Sequence, residues 1–213
     1  MILHEYWRSS AAFRVRVALA LKGLEPARRP VHLQKGEQRE PGFLARNPLG
    51  LVPVLEDGAL VLTQSLAIIE YLEETHPTPP LLPALPAERA WVRALALAVA
   101  CDIHPLNNLR VLAYLDRELH ADSAARDRWY VHWVAEGLAA IEKMLAARPG
   151  PGPFCLGESP TIADVCLVPQ VFNARRYQVP LEPYPLVLAV TGECLKRPAF
   201  ELSQPSRQPD SET

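Results

Sequence analysis

Arg8-Ser9-Ser10-Ala11 is the first stretch of the chain where residue types and spacing can do chemistry. The two hydroxyls stand between a short apolar run, Ile2-Leu3-His4-Glu5-Tyr6-Trp7, and an apolar-periodic run that stops at Lys22-Gly23. A strand that ends, two serines at a helix start and a glycine that closes the helix account for the pattern. The unpaired N–H groups and positive end of a helix steady an anion, and a hydroxyl there adds a hydrogen bond. If the anion is a thiolate, the arrangement lowers a thiol's pKa and makes a nucleophile. The same serines also serve as plain helix caps, and the sequence does not decide between Ser9 and Ser10.

Other residues carry comparable, weaker signals. Gln64-Ser65 opens a second helix, where an N-cap and an anion site are compatible roles. Gln34 and Lys35 lie on a polar loop that reads equally as a binding or a solvated segment. Val52-Pro53 is an X-Pro bond, the one common setting for a cis peptide; a plain edge-strand proline is the competing reading. Arg8, Arg110 and Arg176 have the planar fork that grips a carboxylate at two points, although most arginines simply face solvent. His104 precedes Pro105 in a helical stretch, with Asp102 and Asn108 close by in sequence, as in any polar cluster around a kink.

These residues need elements to hold them. Ile2–Trp7 reads as a strand, Phe13–Lys22 as a helix and Pro30–Leu33 as a second short strand. Leu51–Glu56 and Leu60–Thr63 flank Asp57-Gly58, a hairpin signal, and Ser65 opens a helix that ends before His76-Pro77. The order is that of a small α/β layer with a mixed sheet. The proline-rich stretch from Pro77 to Pro86 marks a boundary. From Ala87 the signal is helical: 87–119 with a break at His104-Pro105, 123–148, and 165–177 opened by the capping-box variant Thr161-Ile162-Ala163-Asp164. Thr161 and Asp164 read as structural, and the polar tail after Phe200 reads as frayed. The expected domains are 1–78, a linker over 79–86, and 87–213.

Composition sets outer limits. The 213 residues, 49% hydrophobic with a formal charge of -2, suit a soluble protein with a substantial core and no basic field for nucleic acid or acidic membranes. Apolar runs are too short to span a bilayer, and Arg8 with the serines interrupts any signal-peptide pattern. Cys101, Cys155, Cys166 and Cys194 form no C-x-x-C pair, so reduced thiols in a cytoplasmic protein are expected. The histidines show no ligand spacing, and no metal is expected.

A β-α-β-β-β-α module joined by a proline-rich linker to a helical domain resembles the glutathione transferase family. Asn47-Pro48-Leu49-Gly50-Leu51-Val52-Pro53-Val54 resembles its cis-proline segment, Leu62-Thr63-Gln64-Ser65-Leu66-Ala67 its γ-glutamyl site, and Ser159-Pro160-Thr161-Ile162-Ala163-Asp164 its helical-domain folding motif. Arg8-Ser9-Ser10-Ala11 is similar to the start of the zeta class, whose members include isomerases of maleyl keto-acids. Cys101 to Asn108 and Ala174-Arg175-Arg176-Tyr177 are similar to its bacterial members. Zeta members often have Cys where this chain has Ala11, so any thiol in the mechanism must come with glutathione.

The resemblance runs from about Met1 to about Phe200. It implies a thioredoxin-like α/β N-terminal domain, an all-α C-terminal domain, glutathione as cofactor and a homodimer. It implies that Ser9 or Ser10 meets the thiolate, Val52 and Pro53 the cysteinyl backbone, Gln64 and Ser65 the γ-glutamyl carboxylate, and Gln34 and Lys35 the glycyl carboxylate. Asp102, His104 and Asn108 would complete glutathione contacts, Asp102 across the dimer; Arg8, His104, Arg110 and Arg176 would meet a dicarboxylate substrate in one cleft, with Arg8 also catalytic. The implied activity is glutathione-dependent cis–trans isomerisation of a maleyl keto-dicarboxylate, maleylpyruvate or maleylacetoacetate, in aromatic-ring catabolism. A zeta-like dehalogenase or peroxidase is the alternative, and a non-catalytic glutathione-fold binding protein ranks last.

Overall fold

Four short strands set the geometry of the first part of the chain. In a computed structural model that describes residues 1–212, β1 (Ile2–Glu5) pairs in parallel with β2 (Ala27–Pro30) and antiparallel with β3 (Val54–Asp57). β4 (Leu60–Thr63) pairs antiparallel with β3, giving the order β2-β1-β3-β4. α1 (Ser10–Leu21) follows β1, the short α2 (Pro41–Leu44) precedes β3, and α3 (Ser65–Thr75) follows β4. The expected mixed sheet is present.

α1 is buried almost all round, from Ala12 to Leu19, so its sequence shows no polar face. Gly23, at φ +67°, closes it: the Leu24 N–H donates to Leu19 C=O at 2.9 Å and the Gly23 N–H to Ala20 C=O at 3.1 Å. This left-handed closure suits glycine. β2 differs from expectation, lying three residues earlier than Pro30–Leu33. The apolar Val31 and Leu33 sit beyond the pairing, and the strand itself is the exposed Ala27-Arg28-Arg29-Pro30 edge, where a proline is tolerated. β3 likewise starts at Val54 rather than Leu51.

The chain divides into two compact units: Met1–Leu81 with the segment from Lys196 onward, and Leu82–Leu195. The division falls inside the expected linker, but the final segment belongs to the first unit, not to the helical one. After α3, Lys22 Nζ donates to Glu73 at 2.8 Å, His76 C=O at 2.6 Å and Pro79 C=O at 3.0 Å. Glu73 also accepts the Leu81 N–H, so the proline-rich stretch is tied to α1 and α3.

The second unit is helical: α4 (Pro86–Leu97), α5 (Leu109–Arg117), α6 (Ser123–Ala146), α7 (Ile162–Arg176) and α8 (Pro185–Leu195). Regular helix stops at Leu97, earlier than the expected break. A π-helical turn covers Ala98–Ile103 and a 3-10 turn His104–Asn107. Pro105 has no N–H and its ring crowds the carbonyl four residues back, so the disturbance spreads into the preceding turn. Gly137 allows α6 close to that turn; a Cβ there would lie 2.3 Å from Ile103 Cδ1.

The expected capping box forms. Asp164 accepts from the Thr161 N–H at 2.7 Å, the Thr161 hydroxyl at 2.8 Å and the Cys155 N–H at 2.8 Å. No helix among the described residues is long and apolar enough to cross a membrane.

As far as Glu212, the last described residue, the tail is not frayed. After the short α9 (Pro198–Glu201), Ser203 C=O accepts from Arg16 Nε at 3.0 Å and Gln208 Oε1 from Arg28 Nη2 at 2.6 Å. Asp210 accepts the Trp7 N–H at 3.2 Å, and Glu212 pairs with His32 at 2.8 Å. Polar tail residues find partners on α1, on β2 and on the segments that follow β1 and β2, which composition alone does not reveal.

Candidate functional site

Strand register places the first unit's candidates at one end of its sheet. Glu5 pairs with Pro30, His4 with Val54, and Val54 with Thr63. The segments beyond those pairs are Arg8-Ser9-Ser10, Gln34-Lys35, Val52-Pro53 and Gln64-Ser65, so all four lie off the same end of the sheet. A buried cluster of Tyr6, Trp7, Val31, Phe43, Val52 and Val54 packs beneath them. Ligands commonly bind where chain leaves the carboxyl ends of parallel strands.

Ser9 is the N-cap of α1, and its Oγ accepts the Ala12 N–H at 3.2 Å. That contact uses a lone pair and leaves the hydroxyl proton to donate. Ser9 is half-buried, whereas Ser10, the first helical residue, is 7% exposed. No acidic residue stands in the first turn of α1 to neutralise its positive end. The Arg8 guanidinium lies 5.2 Å from the Trp7 ring centre. Tyr6 is no rival for Ser9: it is 4% exposed, and burial pushes its hydroxyl pKa up, against the pull of Arg8.

The Val52–Pro53 peptide is cis. Val52 is 8% exposed, and among the described residues its N–H and C=O have no hydrogen-bond partner. A buried peptide group in that condition matches the backbone of an extended peptide laid beside it. Gln64 caps α3 at φ +67° and ψ 118°, an unfavourable conformation for a non-glycine residue. The N–H groups of Ser65, Leu66 and Ala67 likewise have no partner among the described residues, so the start of α3 is open to an anion. Gln34 and Lys35 are exposed on a 3-10 turn that follows His32. An extended peptide with a carboxylate and a thiolate therefore finds matching groups here.

Sequence reasoning missed the ionic groups underneath. Arg16 donates to Glu5 Oε2 at 2.7 Å and to Trp7 C=O at 3.0 Å, while Arg28 donates to Glu5 Oε1. With Asp210 on the Trp7 N–H, this fixes both polar groups of the residue just before Arg8-Ser9. Burial draws the Arg16 pKa down from its ordinary value, and Glu5 opposes that shift. Arg14, 2% exposed, donates from Nη1 to Ser65 Oγ at 3.3 Å. The available signal was a pair of arginines in a helix otherwise apolar on every side, which requires buried partners.

In the second unit, Asp102, His104, Asn108 and Arg110 are gathered in one irregular stretch. Asp102 is exposed on the π-helical turn, His104 is half-buried at the head of the 3-10 turn, and Asn108 caps α5, its Oδ1 accepting the Arg110 N–H at 3.1 Å. Arg110 is exposed. Arg176 comes from the end of α7, its guanidinium 5.1 Å from the Tyr177 ring centre. Tyr177 in turn stacks on Tyr130 at 3.5 Å, and burial raises the Tyr130 pKa.

Comparison with known proteins agrees with this geometry. Residues 1–74 match the family model for the glutathione S-transferase N-terminal domain, and residues 123–192 match that for the C-terminal domain. A maleylacetoacetate isomerase of Rhizobium meliloti is 51% identical over 97% of this chain and 96% of its own. The holo structure of a maleyl pyruvate isomerase, a bacterial zeta-class transferase, is 50% identical with a TM-score of 0.97 over all of both chains. A maleylacetoacetate isomerase of Methylobacterium extorquens with bound malonate and glutathione is 39% identical with a TM-score of 0.97, again over all of both. The chain belongs to the glutathione S-transferase family, in its zeta class.

Proposed function

We propose that this chain is a glutathione-dependent cis–trans isomerase that converts a maleyl keto-dicarboxylate, maleylpyruvate or maleylacetoacetate, to its fumaryl isomer. The observation that carries the reading is the convergence at one sheet end of a donor hydroxyl at a helix start, an unpaired buried peptide and a second open helix start. Relatives named for both substrates are similar to this chain to nearly the same degree, so neither substrate is favoured.

Glutathione, the cofactor, supplies a thiolate that adds to the cis double bond and is expelled once the resulting single bond has turned. Ser9 donates its hydroxyl proton to that sulfur at the positive end of α1, holding it ionised. The Val52 N–H and C=O hold the cysteinyl backbone as a strand would. The start of α3 with Gln64 and Ser65 holds the γ-glutamyl carboxylate, and Gln34 and Lys35 the glycyl one. Asp102, His104 and Asn108 serve further glutathione contacts. Arg8, Arg110 and Arg176, with His104, are assigned to the substrate, where arginine forks grip carboxylates and oppose the charge that develops on the keto oxygen.

The working form is a homodimer in the cytoplasm. β4 is a sheet edge bearing the exposed Leu60 and Val61, a surface that suits cover, and all four cysteines are free thiols. Light scattering is expected to give twice the 23.6 kDa chain mass; a fully active monomer removes Asp102 from the site.

Incubation with each substrate, followed by proton NMR, tests the activity. The fumaryl product is expected only when glutathione is present, with its thiol titre unchanged. No turnover of either substrate overturns the proposal. Glutathione consumed in step with substrate overturns it too, in favour of the dehalogenase or peroxidase reading.

A further inference from the structure

We propose that Arg14 is a positioning residue for the cofactor: it sets the Ser65 hydroxyl to donate to the γ-glutamyl α-carboxylate. The inference rests on the glutathione reading above and concerns a residue with no access to the ligand. Arg14 is 2% exposed on α1, and Ser65 is 7% exposed as the first residue of α3. The two helices pack on each other, and Arg14 Nη1 donates to Ser65 Oγ at 3.3 Å across that contact.

A serine hydroxyl has one proton and two lone pairs, and the proton swings freely unless a neighbour constrains it. A donor as strong as guanidinium occupies the oxygen's acceptor side, so the proton must point elsewhere. It also polarises the O–H bond, because hydrogen bonds in a chain strengthen one another in a low-dielectric setting. The site is then a row: buried guanidinium, hydroxyl, carboxylate. The strained Gln64 and the open N–H groups of Ser65, Leu66 and Ala67 stand at the same helix start, so the hydroxyl completes an anion cradle.

The arrangement calls for Arg and not an apolar residue at this buried position. Merely filling space between α1 and α3 needs no charge, and burying one is costly unless it is hydrogen-bonded.

The test compares glutathione with decarboxy-glutathione (4-aminobutanoyl-cysteinylglycine), which lacks only the α-carboxylate, by calorimetric dissociation constants. The wild-type protein is expected to prefer glutathione by more than about a hundredfold, because the hydroxyl and the open N–H groups all meet the carboxylate, the hydroxyl's charge-assisted hydrogen bond alone accounting for about ten- to a hundredfold. Arg14→Met, similar in length and uncharged, is expected to lose about tenfold of that preference while binding the decarboxy analogue almost as the wild type does. Ser65→Ala is expected to lose it too, and adding Arg14→Met to Ser65→Ala should change the ratio less than about twofold.

A merely structural Arg14 predicts something else: both ligands weaken together and the preference survives, which overturns the proposal. If Arg14→Met does not fold, Arg14→Lys carries the comparison, with a reduced preference expected and an unchanged one decisive against. Full preference in Ser65→Ala overturns it without any Arg14 variant. Wild-type protein that binds neither ligand overturns the glutathione reading itself, a separate result.

Discussion

In the first unit buried ionic groups at the starts of α1 and α3 border the candidate site, and another ties the far ends of the same helices. Arg16, paired with Glu5, donates to the Trp7 carbonyl two residues before Ser9, Arg14 holds Ser65, and Lys22 with Glu73 ties the chain that leaves α3. In the second unit the buried carboxylate Asp164 gathers the Thr161 and Cys155 N–H groups at the start of α7, while Asp102, Arg110 and Arg176 stand exposed. Buried charge thus fixes site backbone in one unit and a helix start in the other. The difference teaches where a change in the interior should reach function: through the α/β unit, and hardly at all through the Asp164 box.

The largest effect should come from breaking the Glu5–Arg16 pair. Arg16→Met leaves the buried Glu5 carboxylate to Arg28 alone and takes the donor from the Ser203 carbonyl, a change of about 3 kcal/mol in stability. It also frees the Trp7 carbonyl, so glutathione affinity in the folded fraction should fall. A urea melt and a calorimetric titration on the same sample measure both. Lost stability with intact affinity would break the comparison, since the ionic cluster would then be only structural.

Ser9→Ala acts on the chemistry itself. Losing one charge-assisted hydrogen bond of about 1.5–3 kcal/mol should raise the pKa of bound glutathione thiol and slow turnover roughly ten- to a hundredfold. Loss of the helix cap should cost a further ~1 kcal/mol of stability. Ultraviolet titration of the thiolate separates the two effects. Ser10→Ala is the control, and a larger thiolate shift there would assign the role to Ser10.

Asp164→Ala should cost about 1–3 kcal/mol of stability, because it leaves buried N–H groups unsatisfied, with kinetic constants near wild type. Its pH dependence has a definite sign. Burial raises the Asp164 pKa above its ordinary value, against the donors from Cys155 and Thr161. The folded state then holds the proton over a range where the unfolded state has lost it. Stability from this group is complete below the unfolded pKa of about 3.9 and declines as pH rises from there through the folded pKa. The gap between wild type and Asp164→Ala in chemical melts should therefore narrow as pH rises across that window. A gap that widens would mean the carboxylate is stabilised as an anion.

Much of this was legible in the sequence, for identifiable reasons. Glycine at 23, the Asp57-Gly58 turn and the Thr161–Asp164 box act through local chemistry, so local pattern revealed them. The serines, Val52-Pro53 and Gln64-Ser65 stood out because caps and X-Pro bonds are local too. What stayed hidden depends on contacts far apart along the chain. Arg14 meets Ser65, Arg16 meets Ser203, and Asp210 meets Trp7. The last two also explain why a polar tail that looked frayed is held. β2 was misplaced because its pairing with β1 runs through exposed arginines, while the apolar residues that drew attention lie just past it.

The smallest effect concerns Asn108, a helix cap in the second unit and a proposed glutathione contact. Its Oδ1 caps α5 by accepting the Arg110 N–H, which leaves the amide Nδ2 hydrogens for the glutathione contact assigned to it. Serine is about as good a helix cap as asparagine but has no amide donors. Asn108→Ser should therefore hold stability within about 0.5 kcal/mol while losing one neutral hydrogen bond of about 0.5–1.5 kcal/mol to glutathione, roughly two- to tenfold in affinity. Asn108→Ala should lose the affinity and about 1 kcal/mol of stability together. A urea melt and a glutathione titration on the two variants separate the roles. If Asn108→Ser binds glutathione as tightly as wild type, Asn108 is a cap alone. The contrast between the units then sharpens, because the cofactor would be held chiefly by the α/β unit, with its buried ionic support.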